Sequence, residues 1–118
     1  MGFTDAIKSG FQRYFDFATR SSRSEYWFWA LFVFIAGIVL GIVDAIIFGD
    51  SSVLGGLFAL GTLIPGIAVG VRRLHDLGRS GWFFLLVLIP IVGWIILIIW
   101  FVTAGQDDEN QWGANPLS

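Results

Sequence analysis

The sequence predicts an all-α integral membrane protein with three transmembrane helices and an amphipathic helix before them. Of its 118 residues, 56% are hydrophobic and only 14% are charged, an apolar content above that of ordinary soluble domains. Two uncharged runs, WALFVFIAGIVLGIV and WFFLLVLIPIVGWIILIIWFV, are typical of helices that cross a bilayer. The chain length fits a single membrane domain over residues 1–118.

The first predicted element is an amphipathic helix over residues 3–18. Apolar Phe3, Ile7 and Phe11 recur at helical spacing, while charged residues such as Lys8 fall largely on the other side. This pattern favours an interfacial helix that lies on the membrane surface. The alternative is a short soluble helix packed against the loops.

Three apolar segments follow, each long enough to span a bilayer. The predicted order is span 1 at 26–48, span 2 at 53–71, a charged cytoplasmic hairpin at 72–81, span 3 at 82–102 and a polar tail at 103–118. Pro65 interrupts the second span, and the carbonyl that it frees must find a partner inside the bundle. Pro90 and Gly93 allow an alternative for the third span, a broken re-entrant hairpin.

The placement of arginines predicts the topology. Arg20 and Arg23 precede the first span, and three further arginines lie in 72–81, so an odd number of spans puts both groups on one side. The positive-inside rule makes that side cytoplasmic, which leaves the N-terminus inside and the C-terminus outside. The re-entrant alternative would return the tail to the cytoplasm.

The stretch VRRLHDLGRSGWF, residues 71–83, gathers three arginines, the chain's only histidine and an aspartate between two apolar runs. One interpretation is structural: Asp76 neutralises an arginine three or four residues away, Gly78 caps one helix and Ser80 starts the next. The functional alternative is a site for an anion or a lipid headgroup built from five arginines, namely Arg20, Arg23, Arg72, Arg73 and Arg79.

A polar network is predicted beside these arginines, from Glu25, His75 and Asp76. A salt bridge from Glu25 to an arginine of the 72–81 hairpin would tie the two cytoplasmic loops together. A catalytic dyad of His75 and Asp76 is disfavoured, because adjacent helical residues point about 100° apart. We therefore assign no catalytic residue.

Asp44 is the one acid near the interior of a span, and intramembrane carboxylates are candidates for proton or ion sites. Its place near the outer end of span 1 favours a solvated or internally paired acid instead. Two glycine pairs, Gly37 with Gly41 and Gly66 with Gly70, form GxxxG patterns that let helix backbones approach closely. Packing of span 1 on span 2 is the simplest use of these faces, and homodimerisation is the alternative.

Composition argues against several function classes. The chain has no cysteine and one histidine, so we predict no metal site and no cofactor. Five of its seven basic residues lie beside spans, and no nucleic-acid-binding fold is indicated.

Three motifs resemble those of a family of small bacterial inner-membrane proteins, domain of unknown function 805. They are RSSRSEYW from Arg20, RRLHDLGRSGW over residues 72–82, and the tail GQDDENQWGANP, with Gly105, Asn110, Gly113 and Pro116. The resemblance covers nearly the whole chain; Thr19 replaces a usual glycine, and Gln111 a usual arginine. It implies a multi-pass protein of the bacterial inner membrane and no established reaction.

We predict a non-enzymatic membrane adaptor or accessory subunit that associates with itself or with another membrane protein. The alternative is a binder or carrier of an anionic lipid or small amphiphile through the arginine cluster. The third hypothesis is a small membrane enzyme or transporter that uses His75, Asp76 or Asp44. The expected partners are the lipid bilayer, including anionic lipids, and membrane proteins.

Overall fold

The computed structural model describes residues 2–117, which contain helices and no named strand. The predicted all-α class is confirmed. The elements are α1 Phe3–Gln12, α2 Arg23–Ile47, α3 Val53–Asp76, a 3₁₀ helix Gly81–Leu88 and α4 Val92–Val102. Ser118, the last residue of the predicted tail, lies outside the described residues.

Helices α2 and α3 form the long pair of the fold. They have 25 and 24 residues, and each is long and apolar enough to cross a membrane. The Ser22 hydroxyl caps α2 by accepting a hydrogen bond from the Glu25 amide at 3.2 Å. Gly78 ends α3 with a φ of +75°, and the amides of Gly78 and Arg79 donate to His75 and Leu74 as in a Schellman motif. The predicted capping glycine is therefore confirmed.

Burial in this fold is the reverse of burial in a soluble protein. Within residues 2–117, the buried apolar residues are few, namely Ala6, Trp29, Ala68, Val69, Leu74, Leu97 and Phe101. The buried polar residues outnumber them: Arg20, Ser21, Ser22, Glu25, Asp44, Thr62, Arg72, Arg73, His75 and Asp76. Large side chains such as Phe34 and Ile46 are 66% and 78% exposed along α2. Such a surface suits a hydrocarbon environment, because soluble domains rarely expose continuous apolar faces of this size.

Pro65 lies inside α3 without breaking it. Proline has no amide hydrogen, so the carbonyl four residues earlier, on Gly61, loses its helical donor. The Tyr14 hydroxyl supplies a replacement by donating to the Gly61 carbonyl at 2.8 Å. The freed carbonyl thus finds the partner that the sequence required, in the segment that follows α1.

The prediction of a continuous third helix over 82–102 is wrong. The segment forms the 3₁₀ helix Gly81–Leu88, then a sharp turn at Pro90 and Ile91, then α4. Ile91 has φ +67° and ψ −66°, and the Val92 amide donates to the Pro90 carbonyl at 2.7 Å, the geometry of a γ-turn. The 11 residues of α4 rise only about 16 Å, against a hydrocarbon core of about 30 Å.

This turn folds the third apolar segment back on itself. A Cβ at Gly93 would lie 1.8 Å from the Leu86 carbonyl oxygen, so only glycine lets α4 approach the 3₁₀ helix this closely. The Trp94 indole donates to the Val87 carbonyl at 2.7 Å and braces the two arms. The segment is a hairpin and not one continuous helix, as in the broken alternative.

The hairpin also determines at which end of the α2–α3 pair the tail lies. The Gln106 amide donates to the Asp76 carbonyl at 2.8 Å, at the end of α3 that faces the N-terminal segment. The tail and the N-terminal segment therefore lie at the same end of the α2–α3 pair, not at opposite ends.

Helix α1 is shorter than the predicted 3–18 and packs against α2. A Cβ at Gly10 would lie 2.2 Å from the Trp29 ring, which makes this glycine the point of closest approach. Phe3 packs edge-on against Phe28, with ring centroids 6.0 Å apart. Residues 13–22, here named the connector, link α1 to α2 without helical structure beyond a turn.

We expect Tyr14→Phe to destabilise the fold by about 1 to 3 kcal/mol, since it leaves the Gly61 carbonyl without a donor in an apolar setting. The chain's other tyrosine provides a matched control: Tyr26→Phe removes a hydroxyl that makes no hydrogen bond to the described residues. The measurement is the free energy of unfolding in mixed detergent with increasing SDS. Equal losses for the two variants would contradict the assigned role of Tyr14.

Candidate functional site

The two polar stretches of the sequence meet at one end of the α2–α3 pair. The Ser21 amide donates to the Arg72 carbonyl at 3.0 Å, which lays the connector against the end of α3. The α2 N-terminus and the α3 C-terminus therefore lie side by side there, and the polar network candidates Glu25, His75 and Asp76 are gathered with the arginines. All three are buried.

Asp76 is the centre of this network. Arg20 Nη2 lies 2.9 Å from Asp76 Oδ1, and Arg73 Nη1 lies 2.7 Å from Asp76 Oδ2. Each of the three residues is at most 3% exposed. Because a buried charge without a partner is very costly, these groups hold one another in place. The predicted pairing of Asp76 with Arg73 is present, whereas Arg72 pairs elsewhere.

Glu25 is the second buried acid. It lies 3.3 Å from Arg13 Nη1 and 3.5 Å from Arg72 Nη2, and it accepts a hydrogen bond from the Ser9 hydroxyl at 2.7 Å. The expected salt bridge between Glu25 and the other polar stretch is therefore present. Arg72 Nη2 makes no hydrogen bond within residues 2–117, so the ion pair alone compensates it.

The remaining donors of Arg20 and Arg73 go to backbone carbonyls. Arg20 donates to the carbonyls of Gln106, Asp108 and Gly113 at 2.6, 2.9 and 3.0 Å. Arg73 donates to the carbonyls of Phe101 and Thr103 at the C-terminal end of α4, where a cation is favoured by the helix dipole. Arg73 thus fastens α4 to α3, and Arg20 fastens the tail to the connector.

The guanidinium group of Arg72 binds the connector in a similar way. It donates to the Ser21 hydroxyl at 2.7 Å and to the carbonyls of Arg13 and Asp16 at 3.1 and 2.9 Å. Burial raises the pKa of Asp16, but hydrogen bonds from Thr19, the Ala18 amide and Arg13 outweigh it and hold the pKa far below its ordinary value. Asp16 therefore stays charged and fixes the connector.

The five arginines proposed for an anion site are not gathered on one surface. Arg20, Arg72 and Arg73 are buried, with their donors directed at protein acceptors. Arg23 and Arg79 are exposed: Arg23 donates to the Val102 carbonyl at 2.9 Å, and Arg79 lies 4.1 Å above the Trp100 ring. The buried members are positioned to hold the fold.

His75 does not pair with Asp76. Its Nδ1 lies 3.0 Å from the Thr19 carbonyl oxygen, and its ring stacks on Trp112 with centroids 4.3 Å apart. Within residues 2–117, no group of three or more metal-ligating side chains could hold a metal ion.

Asp44 is 3% exposed and accepts hydrogen bonds from the amides of Leu54 and Gly55, both at 2.9 Å. These amides belong to the first turn of α3, which has orphan donors and the positive end of a helix dipole. Asp44 thus closes the turn between α2 and α3 as an internally paired acid.

The two glycine pairs have different surroundings. A Cβ at Gly66 would lie 3.9 Å from Trp29 Nε1, and one at Gly70 would lie 2.4 Å from the Phe84 ring, so the α3 pair accommodates neighbouring rings. A Cβ at Gly37 or Gly41 would meet nothing within 4 Å. Gly37 and Gly41 are therefore not points of close approach within the described residues, and this face of α2 is open.

Several site residues were not found from the sequence. Ser9, Arg13 and the tail carbonyls lie far along the chain from the residues they contact. Gly10 offered a signal, because an isolated glycine inside an amphipathic helix often marks a close approach. The tail carbonyls offered none, since any residue supplies such an oxygen.

We expect Asp76→Asn to cost about 3 to 5 kcal/mol, because it leaves Arg20 and Arg73 buried without their counter-charge. The exposed tail acid gives a matched control, Asp108→Asn, which leaves the backbone carbonyl that Arg20 uses. The free energy of unfolding in SDS-containing mixed detergent measures both. A loss for Asp76→Asn no larger than that of the control would show that the network does not hold the fold.

Comparison with known proteins places these features in a family. Residues 14–114 match the family described as a protein of unknown function (DUF805). The chain is 35% identical over 105 residues to inner membrane protein YhaI of Escherichia coli K12, covering 89% of each chain. It is 38% identical over 109 residues to inner membrane protein YhaH of the same strain, covering 89% of this chain and 90% of that one. No solved structure matches the chain.

Proposed function

Because the chain belongs to the DUF805 family, whose matched relatives are inner membrane proteins, we propose that it is a non-enzymatic accessory subunit of the bacterial inner membrane. It associates with other membrane helices, in the first instance those of a second copy. One observation carries this proposal: the small-residue face of α2 at Gly37 and Gly41 is left open by the chain's own fold.

The topology that supports this function has two crossings and not three. Helices α2 and α3 cross the bilayer, α1 lies at the membrane interface, and the hairpin of the 3₁₀ helix and α4 dips in and returns. The positive-inside rule puts the arginine-rich end in the cytoplasm, together with both termini. The turn between α2 and α3 then lies outside.

The open face is suited to helix association in lipid. Lipid tails are as apolar as the helix side chains, so no hydrophobic effect drives helices together there. Association depends instead on close packing of the helix backbones. Gly37 and Gly41 are one turn apart, and Ala45, also exposed, extends the same stripe. A second helix could approach α2 closely along this line without displacing any residue of the fold.

The rival functions have less support from the geometry. An enzyme or transporter would need an acid free to exchange protons or bind a substrate, but Asp76, Glu25 and Asp44 are each held by two or more donors. An anion site on the arginine cluster would need donors that Arg20, Arg72 and Arg73 direct at the protein itself.

We expect Gly41→Ile to weaken self-association about tenfold, the effect of losing about 1.4 kcal/mol of close packing. The measurement is Förster transfer between donor-labelled and acceptor-labelled chains in liposomes, diluted with lipid. Labels are attached through Glu109→Cys, since the chain has no cysteine of its own.

Gly56→Ile is the matched control, because it adds the same side chain at an open glycine on α3, outside the stripe. The parent and this control should show the same dependence of transfer on lipid dilution. Absence of transfer in the parent, or equal weakening by both substitutions, would overturn the association proposal.

For the topology, we expect Ser51→Cys to react with a membrane-impermeant maleimide in intact cells, and Glu109→Cys to react only after the membrane is opened. Both positions are exposed, so reactivity reports the side of the membrane. Reaction of Glu109→Cys in intact cells would restore the three-span topology.

A further inference from the structure

A half-open groove lies beside the ion-pair network and takes no part in it. It is bounded by the connector, α3, the start of the 3₁₀ helix and the tail, and its volume is about 680 Å³. This volume falls within the range of small-molecule sites, about 300 to 1,000 Å³. Most of the lining is apolar, including Phe17, Phe84 and Leu85.

The groove changes in polarity along its length. On α3 it is lined by Ile67, Val71 and His75, which are spaced by four and form one stripe about 12 Å long. His75 and Ser80 lie at the end near the polar network, and Ile67 lies toward the middle of α3. An amphiphile has the same arrangement, with a polar group at one end of an apolar chain.

The polar end contains an acceptor without a partner. His75 is only 5% exposed, and its ring is fixed by the Thr19 carbonyl and by stacking on Trp112. A carbonyl oxygen can only accept a hydrogen bond, so in the neutral ring Nδ1 carries the proton and Nε2 presents a lone pair.

This lone pair is directed at the groove. A Cβ at Gly81, a lining residue, would lie 3.4 Å from Nε2. Within residues 2–117, Nε2 makes no hydrogen bond. An acceptor that is open to an otherwise mostly apolar groove favours a ligand that brings the missing donor.

We propose that this groove binds a neutral membrane amphiphile with a free hydroxyl group, of the monoacylglycerol or long-chain alcohol class. The hydroxyl donates to His75 Nε2, and the hydrocarbon chain lies along Val71 and Ile67. Among the described residues that line the groove there is no lysine or arginine, which favours an uncharged headgroup over a phosphate. The inference does not depend on self-association, because neither Gly37 nor Gly41 lines the groove.

The single histidine of the chain makes a direct test available. Protein labelled with ¹⁵N-histidine is placed in phosphatidylcholine nanodiscs, whose lipid has no hydroxyl donor, and is titrated with monoolein. We expect a proton on Nδ1 and a saturable shift of the Nε2 resonance. Methyl oleate, which has the same chain but no hydroxyl, should leave that resonance unchanged.

Two substitutions to tryptophan distinguish monoolein bound in the groove from monoolein dissolved in the surrounding bilayer. Ile67→Trp fills the groove without contact to the hydrogen-bonding atoms of His75, and it should abolish the monoolein shift. Leu63→Trp adds the same ring at a 56% exposed position of α3 outside the groove, and it should leave the shift intact. A proton on Nε2, a shift that does not saturate, an equal response to methyl oleate, or retention of the shift in Ile67→Trp would each overturn the proposal.

Discussion

The fold depends on the buried carboxylate of Asp76, held between the guanidinium groups of Arg20 and Arg73. Removing three charges from water is expensive, and their attraction compensates only where the geometry is close and the remaining donors are satisfied. Here the remaining donors go to the carbonyls of α4 and the tail. One acid therefore fixes the relative positions of the connector, the end of α3 and the tail, while the small apolar cluster of Leu74, Leu97 and Phe101 joins α3 to α4.

This network explains in physical terms the three motifs on which the resemblance to the family rests. Arg20 comes from the first motif and Asp76 from the second. The third motif supplies Gly105, where a Cβ would lie 2.0 Å from Asp76 Oδ2, and Asn110, which donates to the His75 carbonyl at 2.8 Å. The motifs are distant in sequence but form one interface, so the tail is part of the fold and not an appendage.

The sequence predicted the elements that local physics determines. Apolar run length placed α2 and α3, and the cap at Gly78 follows from local hydrogen bonding. The third apolar run was ambiguous, because its outcome depends on whether α4 can pack against the 3₁₀ helix at Gly93. The long-range partners of Arg20 and Arg72 are mostly backbone carbonyls, which carry no residue-specific signal. For this reason the arginines looked like a surface cluster until the structure placed the tail and the connector over them.

The internal use of charge restricts how such a protein can recognise anything else. The buried acids Glu25 and Asp76 and the buried arginines are already paired within the chain, so the ion-pair network leaves little charge free for electrostatic attraction of a partner. Two features remain for recognition of a partner or ligand. At the open glycine face of α2, close backbone packing would supply the binding energy. In the groove beside His75, one hydrogen bond and contact with the apolar lining would supply it. Both interactions are short-ranged and strongest in an apolar setting. A protein that holds its charges together at one end and exposes hydrocarbon elsewhere is therefore suited to recognition within the bilayer.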